Sequence, residues 1–429
     1  MSARFDLLVV GAGPGGMAAA TVAAETGCRV CVVDDNPAPG GQIWRGLRLE
    51  SASKYPHGRE FIGWAARFER AGCEVLPGWQ VIDHPAQRVL RVENGGETRT
   101  IGFGKLIIAA GARERFLPFP GWTLPGVMGA GGLQALVKNG LDPRGKRVLL
   151  AGSGPLLLAV GAALASAGAR VLGIYEQAPL RRLARFGLLL LGQPGKLVEG
   201  TRYRLKALSA PYRCGAWVVR AEGSGRVERV MLTDGRKQWS ADCDWLGCGF
   251  HLVPNLELPR LLGCRVVDGY VEVDRLQQSS VPGIACVGEL TGIGGLEKAL
   301  VEGQIAGWAA AGREAQALRL APQQQRLQQF AHRLDRVFAL RPELRALAEA
   351  ETVVCRCEDV KRSALQGCAN WREAKLQTRC GMGACQGRIC GAATEFLFGW
   401  QISGERPPVF PAAVAALAAR TEASGTAAR

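Results

Sequence analysis

The chain has 429 residues with a formal net charge of +15, and 48% of its residues are hydrophobic. This length predicts two or three domains with full-sized cores, and the hydrophobic fraction excludes an intrinsically disordered chain. No apolar segment reaches the roughly 18 residues that a membrane-spanning helix needs, and no signal peptide is visible, so we expect a cytoplasmic protein. Fourteen cysteines in such a protein favour free thiols and metal ligation over disulfides.

The positive charge is concentrated in residues 178–220, which hold nine basic residues and Glu199 as their single acid. No nucleic-acid recognition motif accompanies this segment, so we do not expect a nucleic-acid partner. A solvated face is the simplest interpretation. An acidic partner protein, or peripheral contact with the anionic inner face of a membrane, also fits this charge.

Residues 5–34 predict a dinucleotide-binding βαβ unit. The apolar run that begins at Phe5 is too short for a helix and is typical of a buried parallel strand. A glycine-rich turn follows, then a small-residue helix to Ala24 and a second strand that ends at Asp34. A glycine-rich turn alone is weak evidence, but here the strand, the helix and the terminal acid follow in the order that dinucleotide binding requires.

Each residue of the turn has a physical role in this interpretation. Gly11 permits the tight turn, Gly13 lets the backbone approach a pyrophosphate, and Gly16 lets helix and strand pack closely. Pro14 suits the first turn of the helix, where its missing N–H costs nothing. Asp34 is placed to accept hydrogen bonds from a ribose. A fingerprint this near the N-terminus is typical of FAD enzymes with two dinucleotide-binding domains.

The next segments complete the first part of this domain. The loop with Gly40 and Gly41 would let the backbone run beside a flat cofactor. A disulfide reductase of this architecture would need a pair of cysteines after this loop, and the sequence has none there. Residues 51–71 predict a helix, and residues 75–99 predict hairpin strands around an Asn-Gly turn. Residues 105–112 predict a buried strand that closes the segment.

A second βαβ unit follows at an offset of 141 residues, where Gly152, Gly154 and the next proline superpose on the first turn. Two features depart from the pattern. Leu157 replaces the third glycine, and Glu176 falls opposite Asp35, one residue beyond the acid of the first unit. Two interpretations of the second unit therefore stay open: it binds a second nucleotide, ATP or NAD(P), or it is a structural remnant without a ligand.

Residues 281–289 predict a short strand that ends in Glu289, followed by a helix over residues 296–311. In the flavoproteins that this arrangement resembles, an acid, usually Asp, contacts the FAD ribityl chain and the helix N-terminus points at the flavin. Glu289 keeps the charge on a longer side chain. An amphipathic pattern over residues 327–338 predicts a linker helix that packs against the flavin domain.

Five cysteines fall within 36 residues near the C-terminus: Cys355, Cys357, Cys380, Cys385 and Cys390. An iron–sulfur cluster needs four thiolates, but so does a structural zinc site, so the count does not decide between them. The spacings are C-x-C and C-x₄-C, whereas structural zinc sites usually pair their cysteines as C-x₂-C.

The motif Cys-x-Cys, followed by Thr-Arg-x-Gly-Met-Gly-x-Cys-Gln-Gly-Arg-x-Cys, resembles the bacterioferritin-associated-ferredoxin-like (BFD-like) [2Fe–2S] domain fused to certain flavoproteins. With the glycine turn and residues 40–42, 113–118 and 121–127, the whole chain is similar to the α subunits of opine oxidase, D-hydroxyproline dehydrogenase and hydrogen cyanide synthase. The resemblance implies four cluster ligands, Cys355, Cys357, Cys385 and Cys390. The family motif requires no cysteine at the place of Cys380.

The predicted fold is an α/β, two-dinucleotide-binding-domain flavoprotein of the glutathione-reductase type with a small C-terminal BFD-like domain. The expected boundaries are residues 1–115 and 256–315 for the FAD domain, 116–255 for the inserted nucleotide fold, 316–350 for a helical linker, 351–400 for the BFD-like domain and 401–429 for a tail. The expected FAD-binding residues are Gly11, Gly13, Pro14, Gly16, Asp34, Asp35, Gly41, Gln42, Ala110, Gly111, Gly288 and Glu289. The expected residues of the second nucleotide site are Gly152, Gly154 and Glu176.

A flavin next to an iron–sulfur cluster takes electrons in pairs and passes them on singly. The resemblance implies an α subunit that receives electrons from an FAD-containing β subunit similar to D-amino-acid oxidase, and a small ferredoxin-like subunit is a further expected partner. The donors would be D-hydroxyproline, opines or glycine, oxidised at a CH–NH or CH–NH₂ bond, and we assign no catalytic residue. The alternatives are a free-standing NAD(P)H-dependent oxidoreductase and a non-catalytic scaffold.

Overall fold

The computed structural model describes residues 3–190, 194–207, 210–402 and 404–418, and the end of the predicted tail lies outside them. The chain divides into two compact units. The first comprises Met1–Ala112, Pro254–His332 and Gly404–Arg429, and the second comprises Arg113–Val253 and Arg333–Ser403. In the part of the chain that is described, no helix is long and apolar enough to cross a membrane.

The first unit is built on a seven-stranded sheet. Its first elements are β1 (Ala3–Val10), α1 (Pro14–Ala24), β2 (Val30–Asp34), α2 (Gly58–Ala71), β3 (Glu74–Pro77), β4 (Gln80–Ala86), β5 (Val89–Asn94) and β6 (Glu97–Ile108). β1 pairs in parallel with β2 and β6, and β2 pairs in parallel with β3. β5 and β4 continue antiparallel from β6, as the Asn-Gly turn predicts.

The helix predicted over residues 51–71 begins at Gly58. Residues 52–54 form a separate short 3₁₀ turn, and Pro56 stands between the two segments. A proline restricts the residue before it to extended conformations, so a single helix cannot run through this point.

The next stretch contains β7 (Ala112–Glu114), β8 (Val127–Gly129), α3 (Ala130–Lys138), β9 (Arg147–Ser153), α4 (Leu156–Ser166), β10 (Arg170–Glu176), α5 (Leu180–Leu190), α6 (Pro194–Lys206), β11 (Tyr212–Cys214), β12 (Trp217–Glu222), β13 (Arg229–Thr233), β14 (Gln238–Asp242), β15 (Trp245–Phe250) and β16 (Leu252–Pro254). A parallel sheet of order β11-β10-β9-β15-β8 forms the second nucleotide fold. β12, β13 and β14 form an antiparallel sheet beside it.

The chain returns to the first unit with α7 (Glu257–Leu261), β17 (Val266–Val267), β18 (Tyr270–Val271), β19 (Ile284–Cys286), α8 (Leu296–Ala310), α9 (Glu314–Arg319) and α10 (Ala321–Val337). β19 pairs in parallel with the last residues of β6. α8 packs against α1 at very short range, because a Cβ atom at Gly303 would overlap the Gly15 carbonyl oxygen. Leu327 of α10 lies in a small core with Val301 and Ile305 of α8, so the apolar face of α10 packs as predicted.

The last elements are β20 (Val353–Cys355), β21 (Val360–Lys361), α11 (Arg362–Leu365), α12 (Trp371–Thr378), α13 (Cys390–Phe398) and α14 (Val414–Ala418). All but α14 belong to the second unit. Residues 353–400, called the cysteine domain below, have a core of their own that contains Trp371, Trp400 and the buried cysteines.

Candidate cofactor and thiol sites

The first glycine turn has the geometry that the sequence predicts. Gly11 has a φ of +101°, a left-handed conformation that favours glycine. A Cβ atom at Gly16 would overlap the Gly11 carbonyl oxygen, so only glycine lets α1 pack this closely against β1. α1 begins at Pro14 with Gly13 as its N-cap. Because the first backbone N–H groups of a helix have no partner within it, this end of α1 is suited to binding an anion.

Asp34 ends β2 beside this turn and has only 6% of its surface exposed. Its carboxylate accepts hydrogen bonds from the Ala12 N–H and from the backbone and side-chain nitrogens of Asn36, the latter two at 2.7 and 2.8 Å. These bonds hold the predicted ribose acceptor at the carboxyl edge of the sheet. The neighbouring Asp35 is exposed.

The loop with Gly40 and Gly41 lies directly against the turn. The Gly40 N–H donates to the Ala12 carbonyl oxygen at 2.8 Å. A Cβ atom at Gly41 would lie 3.0 Å from the Gly13 Cα, so the two backbones approach more closely than side chains would allow. Gln42 follows with its side chain exposed.

Ala110 and Gly111 follow β6 on the other side of the turn. Their carbonyl oxygens accept hydrogen bonds from the Asn255 side chain at 2.7 Å and the Asn255 backbone at 3.0 Å. Gly111 has a φ of +68°, and no atom lies within 4 Å of the place where its Cβ would be. The glycine turn, the buried acid and this open space together fit FAD.

Glu289 follows β19, and its half-buried side chain is directed at backbone groups of the next loop. It accepts hydrogen bonds from the N–H groups of Gly294 and Gly295 at 2.9 and 3.0 Å. Gly295 is the N-cap of α8, the helix end that the sequence predicts to face the flavin. Burial raises the pKa of the Glu289 carboxyl. The carboxylate therefore lies at the helix end that the sequence predicts to face the flavin, and its contact with the ribityl chain stays a prediction.

Sequence analysis missed a buried ion pair beneath this segment. Lys298 and Glu302 are 1% and 0% exposed. The Lys298 Nζ lies 2.8 and 2.9 Å from the two Glu302 carboxylate oxygens and donates to Thr291 Oγ1 at 2.7 Å. Glu302 also accepts the Gly288 N–H at 2.9 Å. The pair thus ties α8 to the segment that carries Gly288 and Glu289.

The second glycine turn follows β9 with Gly152 and Gly154 both at positive φ, +146° and +110°. The register between β9 and β10 shifts within β10, so that Glu176 pairs with Gly152. β1 and β2 pair without such a shift. The shift accommodates the one residue by which the second unit is longer than the first between its turn and its acid. Glu176 is therefore the structural counterpart of Asp34, and the alignment with Asp35 expected from the sequence is wrong.

Glu176 is completely buried. Its carboxylate accepts the N–H groups of Gly154 and Ala178 at 2.7 and 2.8 Å, and burial raises its pKa to about 7. Leu157 is buried in the core beneath the turn.

The cysteine domain brings three buried thiols together. The sulfur atoms of Cys355, Cys380 and Cys390 all lie within 4.8 Å of one another. They come from the end of β20, the loop after α12 and the start of α13. The Gly381 N–H donates to the Cys355 Sγ at 3.5 Å, so backbone and thiols both face the centre of the cluster.

The remaining two cysteines continue the cluster toward the surface. Cys385 hydrogen bonds with both Cys390 and Cys357. Cys385 is half-buried and Cys357 is exposed. The three sulfur atoms that lie closest together thus include Cys380, which the resemblance leaves out, and the ligand set of Cys355, Cys357, Cys385 and Cys390 stays a prediction.

Two of these thiols favour the thiolate form. Hydrogen bonds from Cys380 and Cys390 lower the pKa of Cys355 to about 2. A hydrogen bond from Cys390 lowers the pKa of Cys385 to about 5. Five cysteines in this one small domain supply enough sulfur donors for the four that an iron–sulfur cluster or a zinc site requires.

Comparison with known proteins assigns the chain to a family. Residues 5–315 match the family described as Pyridine nucleotide-disulphide oxidoreductase. The chain belongs to this family. It is 32% identical over 419 residues to the HcnB subunit of hydrogen cyanide synthase from Pseudomonas aeruginosa, covering 89% of this chain and 90% of that protein. It is 35% identical over 426 residues to an opine oxidase subunit from Rhizobium meliloti, covering 90% of both. These two relatives confirm the resemblance predicted from the motifs.

Solved structures agree on the fold. L-proline dehydrogenase from P. horikoshii superposes with a TM-score of 0.70 at 18% identity, covering 98% of this chain and 81% of that one. Thioredoxin reductase from T. acidophilum superposes with a TM-score of 0.57 at 22% identity, covering 73% of this chain and 99% of that one. The predicted α/β flavoprotein fold is confirmed, and the family makes the chain an oxidoreductase.

Proposed function

We propose that this chain is the FAD- and [2Fe–2S]-containing α subunit of a heteromeric amino-acid dehydrogenase. It accepts electrons from a β subunit similar to D-amino-acid oxidase, which oxidises D-hydroxyproline, an opine or glycine, and it passes them to an acceptor. The observation that carries the proposal is the combination in one chain of a family nucleotide fold over residues 5–315 and a cluster of five cysteines at 355–390.

The first unit supports FAD as the resident flavin. Gly13 and the N-terminus of α1 would hold the pyrophosphate, and Asp34 would accept the ribose hydroxyls. Gly41 and Gly111 lie on either side of the first glycine turn, and neither has a side chain that would obstruct a bound cofactor. When bound, FAD supplies two-electron chemistry. The residues of this chain orient it and keep its adenosine end fixed.

The cysteine domain supports a [2Fe–2S] centre held by Cys355, Cys357, Cys385 and Cys390. The exposure of Cys357 supports a centre near the protein surface, from which electrons could pass to an acceptor. Three large apolar side chains of the same domain are exposed, Leu376 at 74%, Met382 at 47% and Ile389 at 42%, and the last two lie within two residues of Cys380 and Cys390 in the chain. Exposed apolar side chains, where they form a patch, mark contact sites for partner proteins.

The names of the relatives support a partner subunit. HcnB and the opine oxidase relative are both named as subunits of larger enzymes. In addition, 203 residues are 29% identical to the alpha subunit of sarcosine oxidase from Rhizobium meliloti, covering 41% of this chain and 19% of that protein. We therefore propose two partners, an FAD-containing β subunit and a small ferredoxin-like one. We propose that the complex lies in the cytoplasm, and peripheral contact with the inner membrane face is the alternative role of the basic segment.

Reconstitution tests this proposal. The purified chain, loaded with FAD and its cluster, is assayed with D-hydroxyproline, opines and glycine and an artificial electron acceptor, alone and after co-purification with its β subunit. We expect turnover only in the complex. Turnover by the lone chain at the rate of the complex would place the substrate site here and contradict the proposal. Rapid bleaching of the flavin by NADH or NADPH in stopped flow would favour a free-standing NAD(P)H oxidoreductase.

A further inference from the structure

Residues 335–341, called the strap below, connect α10 to the cysteine domain and run across the second nucleotide fold. They contact Ser153, Gln177 and His251, which lie at or just after the carboxyl ends of β9, β10 and β15. These three strands are neighbours in the sheet. In open parallel sheets, ligands bind in the crevice outside the carboxyl ends of the strands. The strap therefore lies where a nucleotide would bind.

The Gln177 side chain holds the middle of the strap. It is fully buried, and its Nε2 donates to Ser153 Oγ at 2.9 Å and to the carbonyl oxygens of Phe338 and Ala339 at 3.5 and 3.4 Å. Its Oε1 accepts the Arg341 N–H at 3.2 Å. Ser153 Oγ donates in turn to the Phe338 carbonyl oxygen at 2.9 Å. Both polar atoms of a buried amide thus have their partners in the strap and in β9.

The two ends of the strap are also fixed. At the first end, Asp335 Oδ1 lies 2.9 Å from His251 Nε2. His251 stands next to the glycine turn, because a Cβ atom at Gly154 would be 3.6 Å from its Nδ1. At the other end, the Arg341 guanidinium lies 4.4 Å from the centre of the Trp217 ring, a cation–π contact.

We propose that the strap takes the place of a nucleotide in this chain and closes the second fold to NAD(P) and ATP. The fold then serves as an anchor for the cysteine domain. Immediately after the strap, Leu344 and Leu347 enter the same core as Trp122 and Trp217 of the second unit. This closure is a property of the chain alone and does not depend on the β subunit or its substrate.

A nucleotide could enter the second fold only by displacing the strap, and the cost of that displacement keeps the crevice closed. A nucleotide in the crevice would have to remove the carbonyl groups of the strap from Gln177 and Ser153. A buried amide without partners is costly, because the lost hydrogen bonds are not replaced by water.

Binding measurements on the intact, FAD-loaded chain test closure. ATP, NADH and NADPH are dialysed against the protein at roughly 1 mM, the upper end of common Michaelis constants. We expect no nucleotide bound beyond the background of a control without protein. One equivalent of any of the three bound per chain would overturn the proposal, whether or not the strap moves.

Hydrogen exchange tests the contacts themselves. We expect slow exchange of the amides of residues 338–341 in the wild-type chain and exchange on the order of tenfold faster in Gln177→Leu, which removes several hydrogen bonds to the strap. Ser153→Ala should have a smaller effect in the same direction. Ser166→Ala is the matched control, since that hydroxyl donates to the Ala162 carbonyl within α4. Unchanged exchange in Gln177→Leu would overturn the role of this side chain.

Discussion

Lys298 and Glu302 show how a buried charge can be held in place without contact with solvent. Both side chains are almost completely buried, and Thr291 and Gly288 complete their hydrogen bonds. Taking two charges out of water costs several kcal/mol each, and only excellent geometry with additional hydrogen bonds repays it. The pair therefore contributes to positioning more than to net stability, because it links α8 to the segment of Gly288.

We predict that Lys298→Met strongly destabilises the first unit. The substitution leaves Glu302 buried and unpaired, which should cost about 3–5 kcal/mol. The denaturant midpoint of FAD-saturated protein measures the effect, since constant saturation keeps ligand linkage the same. Lys298→Met/Glu302→Gln is the control, because a neutral amide still accepts the Gly288 N–H. An equal loss of stability in both variants would contradict this account.

At the scale of elements, the cysteine domain combines three buried thiols with two nearer the surface. Four ligands suffice for a [2Fe–2S] centre, so one of the five cysteines is outside the ligand set. The resemblance to the BFD-like motif leaves out Cys380. Its sulfur nevertheless lies within 4.8 Å of Cys355 and Cys390, close enough to compete for the metal.

We predict iron and acid-labile sulfide at about two each per chain, as a [2Fe–2S] centre requires. Cys385→Ser should lose the centre and its visible absorption, and Cys380→Ser should retain both. Cys368→Ser is a matched control in the same domain, since that thiol donates to Gln377 outside the cluster. Loss of iron in Cys380→Ser would make Cys380 a ligand. Zinc in place of iron would contradict the redox role.

Local patterns predicted the elements well, since a strand, a turn or a helix depends mostly on neighbouring residues. The first βαβ unit, the hairpin and α8 follow from glycine placement and apolar runs. The register shift in β10 could not be predicted, because a one-residue irregularity in a strand changes neither its composition nor its apolar pattern. The i, i+4 spacing of Lys298 and Glu302 is visible in the sequence, but α8 is buried on nearly all sides, so no amphipathic pattern marks the pair as internal.

The strap illustrates the same limit over a longer distance. Ser153 and Phe338, which hydrogen bond, are 185 residues apart in the chain. Sequence analysis predicted an apolar linker helix ending at residue 338 and left the second nucleotide site open. Only the tertiary structure shows that the end of that helix and the residues after it enter the site. The family motif marks four cysteines as ligands, and it does not predict that Cys380 is buried beside Cys355 and Cys390.

For the whole molecule, the basic segment carries the most conspicuous exposed surface. On α5, Leu180 and Leu188 are 67% and 68% exposed and lie at i, i+8 spacing on one helix face. On α6, Val198 and Leu205 are 50% and 58% exposed. Exposed basic side chains flank them: Arg181, Arg185, Arg202 and Lys206. Apolar groups bordered by positive charge suit an acidic protein surface, and we assign this docking surface to the β subunit.

We predict that Arg185→Glu/Leu188→Ser slows association with the β subunit. The complex should also be weaker, because the double substitution removes charge and apolar area together. In wild type, the association rate should fall as salt rises past roughly 0.15 M, where the Debye length is about 8 Å.

Leu318→Ser/Arg319→Glu is the matched control, an exposed Leu–Arg pair on α9, which belongs to the first unit. Surface plasmon resonance with immobilised β subunit measures both rates. If the double variant binds the β subunit normally but loses binding to vesicles of anionic phospholipid, the surface is a membrane contact and its assignment to the β subunit is wrong.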